Sequence, residues 1–512
     1  MVNPNLYALL QSRFCLNRSQ TALETASGIT YSYAMLEDMT ARYAGFINSL
    51  GVAPGDRVAV QVEKSPEALF LYLACLQSGA VFLPLNSAYQ EGEVDYFLGD
   101  ATPMVVVHQQ KNESWMSALC DKHHIAHRYV LADESGEENQ QGRHSWHENA
   151  SESAPMLEIA HRGDDDLAAI LYTSGTTGRS KGAMITHRNL SSNALTLHAY
   201  WGFNPGDILL HALPIFHVHG LFVACHTALL NASKMIFHSK FDAKATIAAL
   251  PRATVFMGVP TMYVRLLSDA TFSKETCANM RLFVSGSAPL LAETFHTFHA
   301  RTGHVILERY GMTETGMITS NPLGAERRGG TVGLPLPGVA LRVVDDTGRA
   351  CVTGDIGGLQ VKGENVLPGY WQMPDKNKEE FTSDGYFKTG DVGKIDIDGY
   401  VTIVGRTKDL VISGGYNVYP KEIEMLLDDI DGVAESAVIG LSHPDFGEAV
   451  AAVLVKKPGV SLTESDVMAA IKGKLAAFKM PKRVFVVDEL PRNTMGKVQK
   501  NTLREQYADT FK

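Results

Sequence analysis

The sequence predicts an α/β protein. A large amino-terminal domain, residues 1–405, is expected to hold doubly wound parallel sheets and a small β-barrel, followed by a smaller α+β domain over 406–512. Three observations carry this. Apolar strand-like runs alternate with apolar-faced helical patterns up to about residue 284, the texture of a parallel sheet wrapped by helices. Between 331 and 404 the texture changes to short β-rich pieces separated by glycines, as in a small barrel. From 408 onward the order becomes helix, strand, strand, helix, strand.

Taken in order, the first helical pattern starts at Thr30-Tyr31-Ser32-Tyr33, carries Leu36, Met39, Tyr43, Ala44 and Ile47 on one face and ends at Gly51. Residues 57–62 read as a strand, 66–78 as a helix, and 81–85 and 105–108 as further strands. Residues 132–155, rich in Glu, Ser, Asn, Gln and Gly with little periodicity, read as a solvated excursion. The apolar run 167–171 resumes the core, and strands are expected at 207–213, 234–238, 254–259 and 282–284, with a largely apolar helix over 219–232. The barrel pieces are 340–344, 358–362 and 400–404. The last domain reads as helix 421–429, strands 434–440 and 449–456, helix 464–478 and strand 483–487.

A chain of 512 residues with 45% hydrophobic content can bury more than one core. A net charge of −10 argues against nucleic acid or an anionic membrane as a partner, so an anionic ligand must be held by local cations and amides. Six cysteines (15, 75, 120, 225, 277 and 351) are scattered without a CxxC pair and are expected to be reduced thiols. No apolar run is as long as a membrane span. The first eighteen residues lack a basic start followed by an apolar core. With no acid before Glu24 but only two arginines they match a transit peptide weakly, and a cytoplasmic location is expected.

The strongest local signal is Tyr172-Thr173-Ser174-Gly175-Thr176-Thr177-Gly178-Arg179-Ser180-Lys181-Gly182. Its three glycines let backbone approach a ligand, and its five Ser/Thr hydroxyls and free amides can donate to phosphate oxygens beside two cations. The spacing is not that of a Walker loop, because Ser180 stands where that motif needs Gly before Lys. Such a stretch after a buried strand reads as a polyphosphate-handling loop. Farther on, Asp391 follows tight turns at Asp384-Gly385 and Gly390, where a carboxylate can accept from both ribose hydroxyls. Ser413-Gly414-Gly415 reads equally as a plain turn and as a place where a slender ligand passes backbone. Lys497 sits on a glycine turn in Pro491-Arg492-Asn493-Thr494-Met495-Gly496-Lys497.

With these motifs the chain resembles the adenylate-forming superfamily of acyl-CoA synthetases, luciferases and peptide-synthetase adenylation domains, in motif order from about Ser27 to Leu503. Within it the sequence is most similar to malonyl-CoA synthetases. The resemblance implies a two-step ligase using ATP, Mg²⁺ and coenzyme A: a carboxylate and ATP give acyl-AMP and pyrophosphate, then CoA displaces AMP. It implies that Thr173 through Gly178 and Lys181 handle phosphates, and that Thr173 and Glu314 hold Mg²⁺, a hard cation needing few protein oxygens. It assigns Ser287-Ala288-Pro289, Glu308-Arg309-Tyr310 and Gly311-Met312-Thr313 to the nucleotide pocket, with Asp391 and Arg406 on ribose and phosphate. It makes the last domain a mobile lid turning about Lys408, gives Gly414-Gly415 to the pantetheine arm, and makes Lys497 the adenylating residue and an acetylation target. His217 matches a general catalytic position.

The acid is read from Pro214-Ile215-Phe216-His217-Val218-His219-Gly220, the helix-like stretch containing Arg265, and Ser285-Gly286-Ser287. Malonyl-CoA synthetases resemble this sequence in having His, Arg and Ser at His219, Arg265 and Ser287, with Ser285 in the same wall. An Arg fork, an imidazole and a hydroxyl suit a second carboxylate. Malonate is therefore the expected acid, with methylmalonate second, and Arg252 and Arg281 are reserve cations. His217 and His219, two apart with no third ligand nearby, do not form a zinc site. The alternatives are another short-chain or dicarboxylic acyl-CoA synthetase, an adenylation enzyme loading a carrier protein, a luciferase-like oxygenase, or a nucleotide-binding regulator without catalysis.

Overall fold

The computed structural model describes residues 3–14, 17–131, 145–173, 180–413, 416–444, 446–472, 474–475, 477–493 and 496–511. Two large sheets carry the amino-terminal part. The first has six strands in the order His127–Val130, Val105–His108, Arg57–Gln61, Val81–Pro84, Leu167–Thr173 and Lys181–Thr186. Its neighbours run parallel except the last pair, which is antiparallel. The second has nine strands and is parallel from Leu307–Met312 through Leu282–Ser285, Val255–Gly258, Ile208–His211 and Lys234–Phe237 to Thr21–Thr25, with antiparallel strands at both edges. Parallel strands need crossover helices on the faces, and the alternation read from the sequence supplies them.

The helix Pro66–Ser78 shows how the layers join. Ser65 caps it by accepting from Ala68 N, proline occupies its first turn, and Gly79 ends it in the left-handed region. Every residue except Glu67 is buried. A helix apolar on all sides belongs between layers, and one continuous core runs past it through both sheets.

The glycine-rich stretch expected to form a small barrel is a four-stranded antiparallel sheet, Ala340–Val344, Gly357–Lys362, Phe387–Ile395 and Val401–Arg406. The carboxy-terminal part has its own sheet, in which Gly447–Lys456 pairs with Val433–His443 along one edge and, along the other, with Arg483–Val487 and, at Gly447, with Ser413 of Val411–Ser413. A hydrophobic cluster covers each face of it, so this α+β part has a core of its own.

Three expectations are corrected. Residues 132–144 lie outside the described residues, but the rest of the expected excursion contains the helix Trp146–Glu152. Its Trp146 is fully buried against Tyr43, Phe46 and Tyr129; one aromatic anchor outweighs a polar composition. The helix expected over 219–232 opens as a π-helix, His219–Cys225, before continuing as His226–Leu230. The helix begun at Glu464 ends at Ile471, not near 478. Among the described residues Cys75, Cys120, Cys225, Cys277 and Cys351 are free thiols, and no helix is long and apolar enough to cross a membrane.

Candidate active site

The site lies at the carboxyl ends of the strands of both large sheets, where open α/β sheets expose loops and helix starts to ligands. Thr173 and Lys181, the two flanks of the glycine-rich loop, face each other across antiparallel strands. Ser174, Gly175, Thr176, Thr177, Gly178 and Arg179 lie outside the described residues. Both flanks are tied to the scaffold: Tyr172 donates its hydroxyl to Asp100 at 2.5 Å, and Tyr96 donates to the Ser180 carbonyl at 2.9 Å. Lys181 is buried, 3.2 Å from Glu380 and 4.1 Å from the centroid of the Tyr370 ring.

Glu314 comes next to this loop from the turn after strand Leu307–Met312. One of its oxygens accepts from Thr173 Oγ1 at 3.3 Å and from the Tyr370 hydroxyl at 3.1 Å. The two residues assigned to Mg²⁺ by resemblance are therefore adjacent, and their hard oxygens suit a cation that draws its other ligands from phosphates and water. Among the described residues no group of three or more His, Cys, Asp or Glu forms a site that could hold a metal without such help.

Asp391 is buried, with Tyr310 donating to one oxygen at 2.5 Å and Arg406 Nε to the other at 2.9 Å. This pairing raises the Arg406 pKa further, fixing a carboxylate and a cation side by side at the end of the four-stranded sheet. Lys408 follows in the short turn Thr407–Asp409, its pKa lowered by desolvation and by Arg406. Gly414 and Gly415 lie outside the described residues.

The opposite wall separates two residues that the sequence reading grouped together. Glu308 and Arg309 are consecutive in a strand and so point to opposite faces. Glu308 turns inward, accepts from Leu290 N at 3.0 Å and so pins the Ser287-Ala288-Pro289 segment; burial pushes its pKa up to about 8. Arg309 turns the other way and packs on Gly286 so tightly that a Cβ there would lie 2.5 Å from the guanidinium carbon. It is 3% exposed, and its Nε and Nη2 have no hydrogen-bond partner among the described residues. Burial pulls its pKa down to about 9. Arg309 thus neighbours His217 and His219 as well as the Gly286-Ser287 backbone.

Those histidines are neutral at pH 7. His217 is pushed down to about 3 by desolvation, then by Lys497 and Arg309; His219 lies well below the ordinary imidazole range through desolvation, then Arg309. Ser287 Oγ lies 3.3 Å from His219 Nδ1, and Ser287 itself has φ of +72°, a strained conformation for a side chain other than Gly. Ser285 Oγ, His217 Nδ1 and His219 Nε2 are buried and have no partner among the described residues. Lys497 reaches the mouth of this space while still exposed to solvent; desolvation and Arg406 lower its pKa, and Asp391 and Glu314 draw it back up. The adjacent Gly496 (φ +75°) lies so close to Thr261 that a Cβ would be 3.4 Å from its hydroxyl.

Arg265 is not in the buried pocket. On helix Pro260–Ser268 the residues Met262, Tyr263 and Leu266 face the core, and Arg265 is exposed one turn beyond Thr261. The reserve cations are engaged elsewhere: Arg252 pairs with Glu24, and Arg281 holds Asp207 through two bonds of 2.7 and 2.5 Å. Sequence reasoning did not find Tyr370, Glu380, Tyr96 or Asp100, all lone polar residues outside any motif.

The arrangement therefore offers hard oxygens and cations for a polyphosphate, a carboxylate–cation pair for a sugar, and a buried cationic pocket next to a lysine of the carboxy-terminal part. A model of the AMP-binding enzyme family matches residues 14–371, and one of the AMP-binding enzyme C-terminal domain matches 422–497. A malonate–CoA ligase of Arabidopsis thaliana is 34% identical over 521 residues, covering 94% of this chain and 83% of its own. A feruloyl-CoA synthase of Amycolatopsis sp is 34% identical, covering 94% and 95%. The ATP-bound crystal structure of MatB from Rhodopseudomonas palustris superposes with a TM-score of 0.95 at 53% identity over all of both chains.

Proposed function

The chain belongs to the AMP-binding enzyme family, and on that premise we propose that it joins malonate to coenzyme A using ATP. Malonate and ATP give malonyl-AMP and pyrophosphate; the CoA thiolate then displaces AMP to give malonyl-CoA. Methylmalonate is the second acid of this reading.

The observation that carries it is Arg309. A buried guanidinium with two unpartnered nitrogens is costly unless an anion meets it. Malonate brings one carboxylate to the α-phosphorus and keeps another that must leave water. Arg309 receives that second carboxylate, with His219, Ser287 and Ser285 supplying neutral polar atoms around it and Arg265 guarding the rim. Neutral His217 and His219 suit this role, since two more cations would overcharge the pocket.

In the first step Thr173, Ser174, Gly175, Thr176, Thr177, Gly178 and Lys181 hold the phosphates. Thr173 and Glu314 would hold Mg²⁺, which supplies charge neutralisation on the phosphate oxygens. Asp391 accepts from the ribose, beside Arg406, and Ser287, Ala288, Pro289, Tyr310, Gly311, Met312 and Thr313 line the adenosine side, with Glu308 as the brace behind. The malonate oxygen attacks the α-phosphorus and pyrophosphate leaves; the Lys497 ammonium neutralises charge that builds on the phosphoryl oxygens, where a preorganised cation counts most. His217 lies beside the reacting carboxylate. In the second step the lid, from residue 406 onward, turns about Lys408, withdraws Lys497 and brings Gly414-Gly415 to the pantetheine arm.

The test is pyrophosphate release over acetate, propionate, malonate, methylmalonate, succinate and 4-coumarate, with and without CoA. Malonate should give the highest kcat/KM, and malonyl-CoA should form only when CoA is present. Preference for propionate or 4-coumarate would overturn the reading of the pocket.

A further inference from the structure

Outside the reaction centre, behind the acid pocket, a buried chain of polar groups runs from the first large sheet to the second. Lys64, 5% exposed on the loop after strand Arg57–Gln61, donates to His211 Nδ1 at 2.7 Å and to the His211 carbonyl at 2.8 Å. Its ammonium also lies 4.1 Å from the centroid of the Phe237 ring, a cation–π contact. His211 Nε2 lies 2.9 Å from the Gly220 carbonyl. The two ends fix the imidazole between them. A carbonyl only accepts, so Nε2 must carry the proton; an ammonium only donates, so Nδ1 must be bare. The Gly220 carbonyl and Lys64 together hold the tautomer in which His211 donates to Gly220.

Gly220 is the second residue of the π-helix His219–Cys225. A Cβ on it would lie 1.9 Å from the Pro214 carbonyl oxygen, so its backbone is wedged against the start of the segment 214–219. Any displacement of Gly220 is passed to that segment, which bears His217 and His219. Cys225, whose Sγ is 3.3 Å from His211 Nε2, stays a neutral thiol because burial pushes its pKa up to about 12.

We propose that Lys64 is a positioning residue for acid selection: through His211 and Gly220 it sets where His217 and His219 stand in the acid pocket. This rests on the reading of that pocket as the receiver of malonate, and the acid panel above tests that reading before any Lys64 variant is made.

The test has two arms. In wild-type enzyme labelled with ¹⁵N-histidine, without substrate, the His211 resonances (identified by their loss in His211→Gln) should show a protonated Nε2 and a bare Nδ1. Lys64→Met leaves the Gly220 carbonyl as the one remaining constraint and should shift part of the population to the tautomer protonated on Nδ1. In kinetics, Lys64→Met should raise the malonate KM about tenfold while the ATP KM changes less than about twofold. His211→Gln keeps an N–H toward Gly220 and needs no partner at Lys64, so its malonate KM should stay within about threefold of wild type; His211→Phe, without a donor, should raise it about tenfold. The His211 pair decides the case even if Lys64→Met does not fold. A wild-type His211 protonated on Nδ1, equal KM changes for malonate and ATP in Lys64→Met, or equal effects of Gln and Phe at 211 overturns the proposal.

Discussion

At the scale of the single residue, the acid pocket turns on which cation is out of water. Arg309 is buried and Arg265 is exposed, so the two methionine variants should differ. Truncating one partner of a buried charge pair typically costs about 2–5 kcal/mol. Arg309→Met should therefore lower kcat/KM for malonate by about 30-fold to several thousand-fold and move the malonate-to-butyrate ratio toward butyrate. Arg265→Met should change that ratio less than about fivefold, as exposed charges do. Equal effects, measured as this ratio in the two variants and wild type, would remove Arg309 from its role. The sequence made His219, Ser287 and an arginine legible as a set, but not which arginine. Nothing in Glu308-Arg309 says which side of the strand faces the ligand, because alternation fixes that two neighbours are opposed and not which of them is inward.

At the scale of the element, the contacts that aim the site are made by segments without motifs. The helix Leu6–Phe14 is capped by Asn5, which accepts from Tyr7 N at 2.9 Å, while its first amide, Leu6 N, donates to His187 Nδ1 at 3.1 Å, 181 residues away. Burial pulls the His187 pKa from 6.5 down to about 4. The sign follows from proton binding. Between pH 6.5 and about 4 the unfolded chain takes up a proton that the folded chain refuses, so stability falls as pH falls through that window. The ceiling is about 3 kcal/mol. Amide exchange at Leu6 and its neighbours, corrected for intrinsic rates, should speed up at pH 4.5 relative to pH 7, and His187→Gln, which does not charge, should abolish the difference. The strands and helices with strong periodicity were legible in the sequence, Pro66–Ser78 to the residue. The helix Trp146–Glu152 was not, since its order comes from one indole packed among three distant aromatics. The π-turn was also hidden, because widening the helix by one residue per turn leaves an apolar run looking like any other.

At the scale of the whole molecule, one described contact between the proposed lid and the body is an exposed ion pair. Lys457 and Glu293 form an ion pair at 2.9 Å with both side chains substantially exposed, a contact that contributes about 0–1 kcal/mol. Gly496 rests on Thr261, and Lys497 enters the cleft among Arg406, Asp391 and Glu314. A weak ion pair of this kind suits the proposed turning of the lid after the first step. Lys497→Ala should lower malonyl-AMP formation about 10²–10³-fold, as loss of a preorganised charge does, while conversion of supplied malonyl-AMP to malonyl-CoA survives. Parallel loss of both half-reactions in single-turnover assays would contradict the two-state lid.

The seven-residue π-helix His219–Cys225 also bears on how such a chain can change over generations. A π-turn holds one residue more than the α-turn it replaces. Loss of a single codon there need not break the helix; the turn can close to α-geometry and swing every side chain before it by about 100°. His217 and His219 would then leave the acid pocket together while the body of the protein stayed folded. One deletion, in place of several substitutions, would offer a descendant a pocket without its imidazoles and an opening to other acids.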